Sequence, residues 1–231
     1  MSSTVRRPSL SVVVPVLNEG PALPRTLEAI RAGLKAGDEL IVADGGSTDG
    51  SLGRAAAHAG RVIEAPRGRA VQMNAGAAEA TGTVLWFVHA DTGVPPQAPG
   101  VVREAVERGA VWGRFDVAIE GVSRWLPCVA AAMNARSRWT GIATGDQGIF
   151  VRRDVFRALG GYEAIPLMED VRLSAALRRQ VRPHCIRSPR LVTSGRRWDD
   201  HGALRTMARM WYLRTAHALG ASPEWLAARY H

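Results

Sequence analysis

Four short segments of this chain place carboxylates, an imidazole and glycines at spacings that suit acid–base, anion-binding or metal chemistry. The first is Pro15 to Gly20 (PVLNEG), where an apolar run ends on Asn18 and Glu19. Polar groups at a strand end can meet a ligand, although Asn-Glu is equally an ordinary entry loop to a helix. The second, Ala43 to Ser51 (ADGGSTDGS), is more specific. Its Asp44 can accept hydrogen bonds from a nucleobase or ribose while the glycines let a ligand approach the backbone. A glycine turn with Asp49 as helix cap accounts for residues 45–49 without a ligand, but not for Asp44. The third is Trp86 to Thr92 (WFVHADT), where Asp91 suits a hard divalent cation bridging a diphosphate. The plainer roles are an N-cap for that aspartate and a satisfied hydrogen-bonding side chain for His89. The fourth, Pro166 to Ser174 (PLMEDVRLS), opens a helix with Glu169 and Asp170. Two acids there can simply serve the helix dipole; beside a diphosphate site one becomes a candidate general base.

The surrounding pattern explains how such segments would be positioned. Leu10 to Val16 and Glu39 to Ala43 are β-branched runs without alternation, as buried parallel strands require, and Leu27, Ile30 and Leu34 recur between them at helical spacing. A helix over Ser51 to Ala59, a strand at Val62 to Glu64, a helix over Ala70 to Ala80 and a strand at Val84 to Val88 continue the alternation. Alternating elements of this kind predict an α/β fold, a mostly parallel central sheet flanked by helices, with the ligand site in loops at the carboxyl ends of the strands. The first three segments fall on such loops. Further on, the sequence predicts a helix at Val101 to Arg108, strands at Val111 to Val117 and Ile149 to Val151, and a helix from Val171 to Arg179. An amphipathic helix marked by Leu204, Met207, Ala208 and Trp211 follows, and Pro223 opens a short terminal one.

Composition excludes several classes. The chain has 231 residues, 46% of them hydrophobic, so it can bury a real core, and its two cysteines, Cys128 and Cys185, form neither a disulfide framework nor a metal motif. A reducing, cytoplasmic setting is the expectation. Arg6-Arg7 before Leu10 to Leu17 imitates a signal peptide, yet the run holds Pro15 and lacks a cleavage site, so it reads as a strand. Arg124, Arg136 and Arg138 flank the apolar stretch Leu126 to Met133, leaving no span long enough to cross a bilayer. The net charge of +9 is uneven: +1 over residues 1–115 and +8 over residues 116–231. Lys35 is the only lysine, so arginine-rich codon usage explains part of the total but not the asymmetry. Most of the seven tryptophans are expected to pack in the core. The helix over Leu204 to Leu219, with Arg205, Arg209 and Arg214, offers a face for peripheral contact with an anionic membrane or for a dimer seam.

The four motifs in this order resemble those of the inverting family 2 glycosyltransferases, of the GT-A fold, over roughly Leu10 to Arg179. Within that family the chain is most similar to a small subgroup associated with radical-SAM and selenium-domain proteins, also labelled for arsenosugar biosynthesis, through HADT, GDQGIFVRR and the late SGRRW. The resemblance implies one glycosyltransferase domain over residues 1–231: a Rossmann-like nucleotide-sugar half (8–115), an acceptor and catalytic half (116–198) and a C-terminal helical extension (199–231). It implies that Pro15, Asn18 and Glu19 line the nucleotide pocket, that Asp44 contacts uracil or ribose, and that Arg69 sits near the phosphates, its plainer role being a solvated helix-start arginine. Asp91 would hold a divalent cation, Mn or Mg. His89 stands where the wider family has an acid, and imidazole suits manganese better than magnesium. Asp170 would be the catalytic base with Glu169 its neighbour. Asp146 and Gln147 would face the acceptor together with Arg196, Arg197 and Trp198, and Trp198 is equally a candidate core anchor.

The expected reaction is direct displacement at the anomeric carbon of a nucleotide sugar, a UDP-sugar, by an acceptor hydroxyl. The basic second half adds the expectation of an anionic acceptor, or one presented at an anionic surface. A nucleotidyltransferase of similar fold is the alternative enzyme; it would release pyrophosphate rather than UDP. A basic nucleic-acid-binding protein ranks last, because the acids cluster on the loops where a phosphate backbone would be repelled.

Overall fold

The computed structural model describes residues 7–20 and 22–230, without the side chains at 197, 201, 203 and 204. Seven strands form one sheet in the order β3-β2-β1-β4-β6-β5-β7. β1 (Leu10–Val16), β2 (Glu39–Asp44), β3 (Arg61–Glu64) and β4 (Val84–Phe87) run parallel, and β5 (Trp112–Glu120) pairs parallel with β7 (His184–Ser194). The short β6 (Phe150–Arg152) joins the two groups, antiparallel to both β4 and β5. The sheet runs through Phe115 without a break, so the nearly neutral and the basic stretches share one core.

Every residue of β1 is buried, as its β-branched composition requires. Leu10, Val12, Val14 and Val16 face one apolar layer with Leu23, Leu27 and Ile30 of α1 (Ala22–Gly33) and Val102 of α4 (Ala98–Glu107). Val13, Ile41, Leu85 and Phe87 face the other, with Met73 and Ala77 of α3 (Arg69–Glu79), Phe156 of α6 (Arg153–Ala158) and Leu173 and Leu177 of α7 (Glu169–Gln180). A Cβ at Gly76 would overlap Val13 Cγ1, so glycine lets α3 lie directly on β1. The helix α2 (Ser51–His58) packs between α1 and β3.

The second half holds the departures from expectation. β7 was not legible in sequence: it carries Arg187, Pro189 and Arg190 and mixes buried with exposed positions, so no apolar run marks it. The stretch weighed against a membrane span is α5 (Leu126–Thr140), an ordinary helix on β5. Where the β5–β7 register shifts between Phe115 and Val117, Asn134 of α5 pairs both main-chain groups of Val117 at 2.9 Å. There too the buried Asp116 receives Arg114 and Arg138 together.

At the C-terminus, α8 (Arg196–His201), α9 (Ala203–Ala218) and α10 (Pro223–Ala227) follow β7. Of the residues that mark α9 as amphipathic, Ala208 and Trp211 are exposed, Met207 is half-buried and the side chain of Leu204 lies outside the described residues; Leu213 packs with Leu167, Met168 and Leu226. There α10 folds back against α9. Four of the seven tryptophans pack: Trp198 and Trp225 lie partly buried against apolar clusters. Trp86 and Trp112 are fully buried, whereas Trp125, Trp139 and Trp211 are exposed. No helix among the described residues is long and apolar enough to cross a membrane.

Glu39 ties the amino ends of the strands together. It accepts hydrogen bonds from Ser11 Oγ (2.5 Å), Thr81 N (2.6 Å) and Thr81 Oγ1 (2.8 Å). Burial raises its pKa, but the bonds from Ser11, Thr81 and Gly82 outweigh this and hold it below the ordinary carboxylate value. A depressed carboxylate stabilises the fold above its unfolded pKa and loses that contribution as pH falls through the folded value. Glu39→Gln should therefore cost about 1 kcal/mol at neutral pH, the low end because water reaches the site. Denaturant melts should converge with the wild type below the ordinary pKa of 4.5.

Candidate active site

The carboxyl ends of β1 and β4, with those of β5 and β7, open onto a cavity of about 1020 Å³. Two loops at its edge are stitched to one another. Asn18, in the left-handed region at φ 55, donates from its N–H to Ser47 Oγ (2.9 Å) and accepts at Oδ1 from Thr48 N (2.8 Å). Asp49 accepts from Gly20 N (2.9 Å) and from Ser51 N and Oγ (3.0 and 2.6 Å). The residue at the helix boundary is Gly50, at φ 83, so Asp49 braces the start of α2 from one position earlier than a cap. Asp44 is 2% exposed. Its carboxylate accepts from Gly46 N, Ser47 N and Ser47 Oγ (2.9, 2.9 and 2.5 Å), so the turn absorbs the aspartate that sequence reasoning held apart from it.

Glu19, Pro15 and Asp91 do border the cavity. Asp91 is placed by the loop after β4, which a two-way backbone bridge between Gly93 and Val192 (2.7 and 2.9 Å) fixes to β7. Burial and then Asp91 push the pKa of Glu19 up, with His89 and Arg196 opposing. Helix α3 forms the floor. Gln72 donates its buried amide to Val16 O (2.7 Å) and Ala43 O (2.9 Å), tying the ends of β1 and β2. Arg69, the first residue of α3, donates from Nε to Glu169 Oε1 at 2.7 Å.

Glu169 and Asp170 open α7 behind Met168, which holds φ 71. Glu169 is 2% exposed; burial and the adjacent Asp170 raise its pKa, and Arg69 pulls it back. Asp170 is half-buried and accepts from Gly145 N at 2.7 Å. It does not border the cavity itself. The turn over Gly145–Gln147 lies between, and Thr144 and Asp146 form that part of the wall. Gln147, expected to face the acceptor, is fully buried and accepts at Oε1 from Thr144 N (3.2 Å).

His89 Nδ1 lies 3.2 Å from Asp146 Oδ1, and its Nε2 edge occupies the space a side chain at Gly145 would need. Burial lowers the pKa of His89, but the hydrogen bond and charge of Asp146, aided by Asp91 against Arg69, leave it raised. Its Nδ1 therefore faces Asp146 while the ring borders the cavity. Among the described residues no group of three His, Cys, Asp or Glu side chains could hold a metal. A cavity-facing carboxylate outside any such group of three, such as Asp91, fits a cation shared with substrate phosphates, and not one caged by protein.

Arg196 and Trp198, at the start of α8, border the cavity from the far side. Trp198 also packs on Ile119, Leu126, Val129 and Ala130, so it has both expected roles of position. The side chain of Arg197 lies outside the described residues. Sequence reasoning missed Gln72, Arg136 and the α9 residues Met207 and Met210, all on the cavity wall. The GRAVQMNAG helix start was a usable signal for Gln72, three residues after Arg69; nothing local marked the others.

Residues 11–160 match the family model described as glycosyl transferase family 2. The chain belongs to that family. An uncharacterized glycosyltransferase of Mycobacterium tuberculosis is 38% identical over 84 residues, covering 36% of this chain and 37% of the relative. A second from the same organism is 37% identical over 105 residues, covering 43% and 39%. The match thus spans well under half the length of these curated relatives. Among solved structures, a mannosyltransferase from Pyrobaculum calidifontis in complex with GDP-Man and Mn2+ has a TM-score of 0.69 at 21% identity, over 98% of this chain and 69% of that one. S. aureus TarS 1-349 in complex with UDP-GlcNAc gives 0.66 at 15%, over 80% and 58%. Glucosyl-3-phosphoglycerate synthase from M. tuberculosis, in complex with Mn2+, UDP and glucosyl-3-phosphoglycerate, gives 0.65 at 18%, over 91% and 79%. The glycosyltransferase therefore has the GT-A fold expected of it, with a mixed seven-stranded sheet.

The Arg69–Glu169 pair joins α3 to α7. Removing one partner of a buried pair strands the other, so Arg69→Gln should destabilise by about 2–4 kcal/mol. Arg69→Gln with Glu169→Gln should recover most of the loss. Because protonated Glu169 needs no cation, the single variant's penalty should shrink as pH falls, which urea melts across acid pH would measure.

Proposed function

We propose that this glycosyltransferase transfers a sugar with inversion from a nucleotide sugar, a UDP-sugar, to an acceptor hydroxyl. The observation that carries this reading is the single cavity at the strand carboxyl ends, which brings Glu19 and Asp91 from the nucleotide side opposite Arg136, Asp146 and Arg196 from the second half. The nucleotide complexes of the structural neighbours support a donor of this class. Pro15 and Glu19 border the donor, and the turn braced by Asn18 and Asp44 gives it a rigid edge. Asp91 would hold a divalent cation, Mn or Mg, which would neutralise the charge developing on the diphosphate leaving group. Arg69 adds a fixed cation on the same wall.

Asp170 takes the acceptor proton. The hydroxyl oxygen forms a bond to the anomeric carbon as the bond to the diphosphate breaks on the opposite face, and a single displacement inverts the centre. Glu169, kept in place by Arg69, sets the position of its neighbour Asp170. A specific observation favours a second reading for the base: Asp146 borders the cavity and Asp170 does not.

Asp170→Asn should lower turnover about a thousandfold or more with an unchanged melting temperature, whereas Asp146→Asn should leave most of it. UDP release from a panel of UDP-sugars, with and without manganese, is the measurement. Near wild-type turnover in Asp170→Asn together with loss in Asp146→Asn would transfer the base role to Asp146.

A further inference from the structure

Helix α5 sets Val129, Ala132, Met133 and Arg136 along one face, at spacings of three, four and seven residues, and all four border the cavity. Three are apolar. The fourth is a guanidinium whose Nε and Nη2 are closed off from solvent and have no hydrogen-bond partner. Those two nitrogens form one edge of the group, with parallel N–H bonds, which is the geometry that receives two oxygens of one carboxylate or phosphate. Three nearby arginines already have carboxylate partners. Arg114 and Arg138 share Asp116, and Arg69 is paired with Glu169.

A charged donor buried without an acceptor carries its desolvation cost uncompensated, and a ligand that supplies the acceptor recovers it. The apolar wall raises the worth of that contact by lowering the local dielectric. Burial lowers the pKa of Arg136, Asp170 opposes that, and Arg114 adds to it, so an incoming anion would also relieve the charge. The carboxylate that Arg136 senses is Asp170, the proposed base, and not Asp91 on the donor side.

We propose that Arg136 binds an anionic group of the acceptor, a carboxylate or phosphate, and so holds the acceptor in the part of the cavity that the second half of the chain walls. The acceptor class is then a hydroxy acid or a phosphorylated alcohol. This rests on the glycosyl-transfer reading, and it assigns a residue that the charge of the second half could only foreshadow.

The test is calorimetric titration of glycerate, glycerol phosphate and uncharged glycerol into the protein, with and without saturating UDP. At least one anionic polyol should bind where glycerol does not, and which of the two binds identifies carboxylate or phosphate. Arg136→Met should weaken that binding by roughly ten- to a hundredfold and leave UDP affinity unchanged. Arg136→Lys should retain part of it, since the charge stays and the bidentate edge is lost. Should Arg136→Met fail to fold, Arg136→Gln gives the same comparison. Anionic polyols that bind no better than glycerol, or equally well to wild type and variant, would overturn the proposal. Loss of UDP binding in Arg136→Met would overturn it too, placing the guanidinium on the donor diphosphate. If wild type ignores UDP yet loses anionic polyol binding on substitution, the donor reading fails and the anion site stands.

Discussion

A carboxylate that is 2% exposed must find a cation, and Glu169 finds one in Arg69, a hundred residues earlier in the chain. Much of the site follows from meeting that requirement. The pair draws the start of α7 against the start of α3, and α3 is itself fixed by Gln72 on the ends of β1 and β2 and by the close approach of Gly76 to Val13. Asp170, one residue on, is thereby delivered to the Gly145 amide, and Gly145 can sit there because the His89 ring fills the space of a side chain. Burying that carboxylate is costly, and removing the half-exposed arginine that faces it would leave the charge unpaired. The pair's value here is positional: it holds an acid of the second half at a fixed place beside a nucleotide-side wall.

The parallel half was legible because its signals are local. Buried β-branched runs, helical spacing between them and polar residues after each strand are all readable within a dozen residues, and the strands at 10–16, 39–44, 61–64 and 84–87 stand where those signals put them. The second half depends on partners far apart in sequence. β7 is a strand because β5 and the Gly93–Val192 bridge supply its hydrogen bonds, and its own residues do not announce it. Asp44 carries a two-sided signal. An acid at a strand end is equally what a ligand and what a tight glycine turn would use, and the Gly46 and Ser47 amides show that the turn uses it.

The charge asymmetry resolves in the same way. Several arginines of the basic half are spent on structure: Arg138 on Asp116, Arg172 on Glu163, and Arg209 on the Arg229 carbonyl. Those that matter to the cavity are Arg136, Arg196 and Arg214, joined there by Arg67 and Arg69 from the nearly neutral half. Net charge per segment foreshadowed a cationic wall without locating it, because a guanidinium's role depends on which carboxylate folding brings within reach.

The central claim is that the donor lies in this cavity with its diphosphate between Asp91 and the cavity's arginines. A crystal structure of the protein with UDP and Mn2+ tests it most directly. The account predicts diphosphate oxygens between Asp91 and Arg69 or Arg196, with uridine on the Pro15–Glu19 side. A nucleotide bound elsewhere on the molecule, or bound here with its diphosphate turned away from Asp91, would contradict it.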